Sequence, residues 1–69
     1  MTAIVTATNA YYETITARRY TDDKTGASTW TAHITGRHRN PIASSINTTG
    51  DDLINWATRY NFDLEGMVG

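Results

Sequence analysis

The 69-residue chain has no cysteine and a single proline, Pro41. Without cysteine there is no disulfide framework of the kind that stabilises many small secreted domains, and thiol catalysis and Cys-based zinc sites are excluded. A domain of this size buries only about 60% of the surface its unfolded chain exposes, so the core has to be well packed or completed by a partner. Charge is also sparse: six Lys and Arg against seven Asp and Glu leave a net charge of -1. Such a balance gives no global attraction toward nucleic acid or a membrane surface. No apolar run approaches the roughly 18 residues of a membrane span. The opening stretch, MTAIVTATNAYY, lacks the basic region and apolar length of a signal peptide. The expectation is a cytoplasmic protein with no membrane partner.

What the chain does contain is threonine, thirteen of them, with few Lys, Glu or Gln, and this leans it toward strand. Residues 11–20, YYETITARRY, and 28–35, STWTAHIT, alternate with period two and flank DDKTGA. That pattern predicts an antiparallel hairpin closed over residues 23–26, with Gly26 at positive φ. The register then sets Ile15 opposite Ile34, Ala17 opposite Ala32 and Arg19 opposite Trp30. A slip of one residue would place apolar side chains against polar ones throughout.

The cluster Arg37-His38-Arg39 reads as the next turn, with residues 41–46, PIASSI, as an edge strand opening on Pro41. On this reading Ile34 faces Ile42, Ala32 faces Ser44 and Trp30 faces Ile46. Thr49 reads as a helix N-cap with Asp52 three residues on, and Leu53, Trp56, Ala57, Tyr60 and Leu64 follow as one apolar stripe. Residues 3–8 are a candidate fourth strand, joined by a tight turn at Asn9-Ala10. Residues 61–69 are left open between fraying helix, packed extension and contact tail. The expected fold is α+β: a three- or four-stranded antiparallel β-meander packed on one C-terminal amphipathic helix, in one domain spanning 1–69.

Chemistry is hard to place on this frame. His33 on a solvent-facing strand and His38 at a turn tip do not converge, so neither a metal nor any other cofactor is expected. Glu13 near Arg37 or His38 is the sole acid-base grouping, and a surface ion pair accounts for it. Asp22 and Asp23 are turn formers, while Asp51 and Asp52 suit a helix start. No phosphate loop or nucleophile elbow is present, and the expectation is a non-enzyme. What remains is surface. The sheet face away from the helix is expected to carry Tyr12, Thr14, Thr16, Arg18, Tyr20, Thr29, Thr31 and His33. Tyr12, Arg18, Tyr20 and His33, together with Arg37 and Arg39 of the basic turn, are the candidate partner-binding residues, because Tyr and Arg anchor interfaces.

Two resemblances bear on function. At ASSINTTGDDLINWATRY, a strand leads through a Thr cap into a helix with Leu53 three residues before Trp56. There, and more loosely over residues 11–60, the chain resembles small phage-encoded anti-CRISPR proteins that bind type I surveillance complexes. That likeness implies a non-enzymatic viral inhibitor whose partner is a nucleic-acid-guided defence complex, blocked through the open sheet face. Its matching residues are core and cap, so it transfers no binding site. The architecture also resembles the sheet-plus-helix DNA-binding domains of integrase N-termini and the plant AP2 family. In that alternative Arg18, Lys24, Arg37 and Arg39 would contact phosphates.

Overall fold

A computed structural model describes residues 2–68. Its single sheet holds β1 (Thr2–Thr8), β2 (Thr14–Thr21), β3 (Ser28–Thr35) and β4 (Pro41–Thr48), in that order and antiparallel throughout, followed by α1 (Gly50–Thr58). The expected α+β meander is therefore present, in its four-stranded form.

Alternation decides which side chains meet the helix. In β2 and β3 the inward residues Ile15, Ala17, Trp30, Ala32 and Ile34 are all buried. Their register is the expected one: Ile15 opposite Ile34, Ala17 opposite Ala32, Arg19 opposite Trp30. The loop joining them closes with the Gly26 N–H donating to the Asp22 carbonyl at 2.8 Å, and Gly26 adopts φ 72°. The absence of a Cβ makes that conformation cheap.

α1 begins at its expected cap, where the Asp52 N–H donates to Thr49 Oγ1 at 3.1 Å and Asp51 and Asp52 occupy the first turn. The cap satisfies an otherwise orphaned donor, and the carboxylates complement the positive end of the helix dipole. The helix is shorter than the apolar stripe implied. Asn61, at φ 66°, donates its N–H to the Thr58 carbonyl at 3.1 Å, and the Phe62 N–H reaches the Ala57 carbonyl at 3.0 Å. These paired bonds across a left-handed residue form a Schellman stop. Leu53 and Ala57 are buried as the stripe required, whereas Trp56 and Tyr60 are half-buried at the margin, with ring centroids 5.2 Å apart. The deep tryptophan is Trp30, at 4% exposure.

Beyond the helix the chain packs instead of fraying. Phe62, Leu64 and Val68 are all in the core, and the Met67 and Val68 N–H groups both close onto the Leu64 carbonyl. This return brings Val68 under the helix start. A Cβ on Gly50 would stand 3.2 Å from Val68 Cγ1 and 3.5 Å from Trp30 Nε1, so a side chain there would push Val68 aside by a few tenths of an ångström.

β4 departs from the expected register. Its first pair, Thr35 with Pro41, fits the expected turn, but Ile34 then lies opposite Ala43 and Ala32 opposite Ser45, and Trp30 is opposite Thr48. One extra residue at Ile42 and a second irregularity near Asn47, which has φ 56°, account for the slips. A bulge sets two residues against one and shifts all that follows. In consequence Ala43 and Ser45 face inward, and Ile46, expected in the core, is 64% exposed.

Candidate functional site

The sheet face away from α1 is built from the outward residues of all four strands. β1 supplies Ile4, Thr6 and Thr8; β2 supplies Thr14, Thr16, Arg18 and Tyr20. β3 adds Thr29, Thr31, His33 and Thr35, and β4 adds Ser44 and Ile46. The centre of the face is a threonine lawn. Its periphery is apolar, with Ile4 60% and Tyr20 64% exposed. No Asp or Glu occurs in any of the four strands, and Arg18 is the one Lys or Arg on this face. Where the first bulge opens the β3·β4 ladder, a groove of about 440 Å³ lies among His33, Thr35, Pro41, Ile42 and Ser44. Ile42, displaced from the core, is 42% exposed and rests near Gly36.

Of the six candidate contact residues, the structure gathers Arg18, Tyr20 and His33 on this face. The other three lie at one end of it. Tyr12, expected on β2, is in the β1–β2 turn at φ 60°, because β2 begins only at Thr14. Its ring stacks beneath the Arg37 guanidinium, 5.0 Å from the centroid, a cation–π contact that joins the first turn to the basic one. Asn9 organises that first turn. Its Oδ1 accepts the Tyr11 and Glu13 N–H groups at 2.9 and 3.1 Å, and its Nδ2 donates to Glu13 Oε1 at 2.8 Å and to the Tyr60 carbonyl at 2.9 Å. Glu13 is thus held by Asn9, and the expected grouping with Arg37 or His38 does not form its hydrogen bond.

The basic cluster is a tight turn, as expected, with unusual backbone. The Gly36 N–H donates to the Asn40 carbonyl at 2.8 Å and the Asn40 N–H to the Arg37 carbonyl at 3.3 Å. Between them His38 and Arg39 both sit in the left-handed region, at φ 60° and 61°. Two consecutive positive φ values define a type I′ hairpin turn, for which Asn-Gly is the favoured filling. All three basic side chains project from an exposed segment.

One feature was beyond sequence reasoning: Ile46, whose apolar character suits either face, is expected opposite Trp30 and is turned outward instead. Arg19 faces inward, and its guanidinium lies over the Trp30 ring at 5.9 Å, with Nε buried and without a hydrogen-bond partner among the described residues. It acts as a lid on the core. Among the described residues no three His, Asp or Glu side chains gather as a metal site.

No protein-family model matches the chain, and no curated protein or solved structure matches it.

Proposed function

We propose that this chain is a non-enzymatic protein-binding inhibitor that occludes its partner with the open sheet face. The observation that carries the reading is the slip of β4, which turns Ile46 outward and opens a groove beside His33 and Ile42. With Ile4 and Tyr20 the face then has exposed aliphatic and aromatic anchors around a threonine centre, and it lacks carboxylates. Interface cores favour aromatic residues and Arg over Lys, Glu and Asp. A DNA-reading sheet needs the reverse, a dense cationic footprint. Here Arg18 is the one cation of the face, Arg19 is turned to the core, and Lys24 is at the opposite end of the hairpin from Arg37 and Arg39. The resemblance to anti-CRISPR proteins supplies the target class, a type I surveillance complex of a bacterial host cytoplasm.

The test is capture of purified type I surveillance complex by the tagged protein, with and without nuclease, alongside Tyr20→Ala and Ile46→Asp. Both variants should melt like the wild type, since both side chains are exposed. Each should lose more than about fivefold in affinity, the effect of truncating an anchor worth over 1 kcal/mol. Nuclease-resistant capture lost in the variants supports the proposal. Absence of capture, or capture abolished by nuclease, overturns it.

A further inference from the structure

Every open sheet has two edges whose unpaired N–H and C=O groups invite another strand, and proteins blunt them with Pro, charge or bulges. The two edges of this sheet are treated differently. β4 carries Pro41, two register shifts and Asn47 at φ 56°. β1 carries none of these devices. Its seven residues, TAIVTAT, include no charge, Pro or Gly, and they pair with β2 from Thr2↔Tyr20 to Thr8↔Thr14 without a shift. The core is also thinner at this edge: Val5 and Ala7 are half-buried, while Ala17 and Ile15 opposite them are fully buried.

The backbone groups left free follow from the first turn. The Asn9 N–H donates to the Glu13 carbonyl, so alternation directs the odd-numbered residues of β1 toward β2. Ile4, Thr6 and Thr8 then point their N–H and C=O groups outward. We propose that this edge pairs with β1 of a second copy, antiparallel about a two-fold axis at Val5. The segment is nearly palindromic: Thr2 falls opposite Thr8 of the second copy, Ala3 opposite Ala7, Ile4 opposite Thr6, and Val5 opposite Val5. Read in both directions the segment is uncharged and sets like against like, so a second copy meets no charge or size conflict at any position of the edge.

The geometry of the pairing is consistent. Outward-pointing Ile4 and Thr6 form hydrogen-bonded pairs, and Val5 falls at a non-hydrogen-bonded pair, where side chains come closest. A two-fold axis normal to the sheet keeps both helices on one side, so the Val5 side chains meet over the thin margin of the two cores. On the other face Ile4, 60% exposed, gains a diagonal neighbour in Ile4 of the second copy. The shared edge is about 23 Å long, which places the interface in the small, reversible class below about 1,200 Å².

The proposal does not rest on the inhibitor reading, and its test needs no target. Sedimentation velocity of the full chain should show a mass that rises with concentration toward a dimer. Thr6→Pro removes an outward N–H and spares the β1·β2 ladder, so it should keep the wild-type melt and sediment as a monomer. Thr6→Lys sets like charges diagonally across the axis and should do the same. Because the chain lacks cysteine, Val5→Cys introduces its one thiol. Across the axis the two Val5 Cα atoms stand about 4.5 Å apart, within disulfide reach. Ala3→Cys is four residues out of register, about 13 Å from its mate. Oxidation should therefore cross-link Val5→Cys and spare Ala3→Cys. A wild type that stays monomeric at every concentration, equal cross-linking at both positions, or a folded Thr6→Lys protein that still dimerises would each overturn the proposal. So would an edge that takes up another protein's strand while the chain remains monomeric.

Discussion

Trp30 and Trp56 illustrate how much environment separates two residues of one type. Trp30 is at 4% exposure, covered by the Arg19 guanidinium and close to Gly50 and Val68. Trp56 is half-buried against Tyr60. Removing the Trp30 indole should leave a cavity as well as losing transfer energy, so Trp30→Ala is expected to cost about 3 to 5 kcal/mol. At roughly 0.05 to 0.15 kcal/mol per residue, that is much of the stability such a chain can have. Trp56→Ala should cost about 1 to 2 kcal/mol, the loss of partial burial alone. Urea midpoints of the two variants check the ranking, and a lower midpoint for Trp56→Ala would contradict the packing described.

Among the elements, the β3–β4 turn has the least favourable local chemistry. A left-handed backbone is uncommon for non-Gly residues, with His better represented there than Arg. Each such residue costs on the order of 1 kcal/mol and persists because the surroundings enforce it. Arg39→Gly should therefore stabilise the fold by about 1 kcal/mol, raising Tm by roughly 4 to 8 °C for a domain of this size. A fall in Tm would mean that the Arg39 side chain contributes packing the turn needs. If the basic turn flanks the docking face, the more stable variant should also capture the surveillance complex less well. That combination, gain in stability with loss of binding, is expected of strain retained at a contact.

On the scale of the molecule, charge distribution is what favours a protein over a nucleic acid as the proposed partner. The body measures 39 × 21 × 14 Å, and its cations are scattered: Lys24 and the Arg37–Arg39 turn at opposite ends of the hairpin, Arg18 on the open face, Arg19 on the inner face and Arg59 at the end of α1. Asp51, Asp52, Asp63 and Glu65 lie on the later part of the chain and are exposed. Binding to arbitrary duplex DNA should consequently be no tighter than the general range of roughly 10⁻⁴ to 10⁻⁶ M at physiological salt. Fluorescence anisotropy across a salt series measures this. A nanomolar complex with a defined DNA site, lost when Arg37 and Arg39 are reversed to Glu, would replace the inhibitor reading with the DNA-binding one.

The β2·β3 hairpin, its Gly26 loop and the Thr49 cap are determined by the sequence itself, since each rests on interactions a few residues long or on a pattern that one register alone satisfies. Ile15, Ala17, Ala32 and Ile34 tolerate no slip, because a shift of one residue would set the apolar pair of one strand against polar residues of the other and turn it to solvent. β4 has no such restraint. Its alternation of Ile, Ala and Ser suits either face, so the extra residue at Ile42 decided it, and with it the composition of the candidate docking face. The tail shows the same division. Phe62 and Val68 look like any apolar residues after a helix until the left-handed Asn61 turns the chain and the bare Cα of Gly50 admits Val68 beside Trp30. Those contacts join residues far apart in sequence, and their energy comes from shape and burial, which no local pattern encodes.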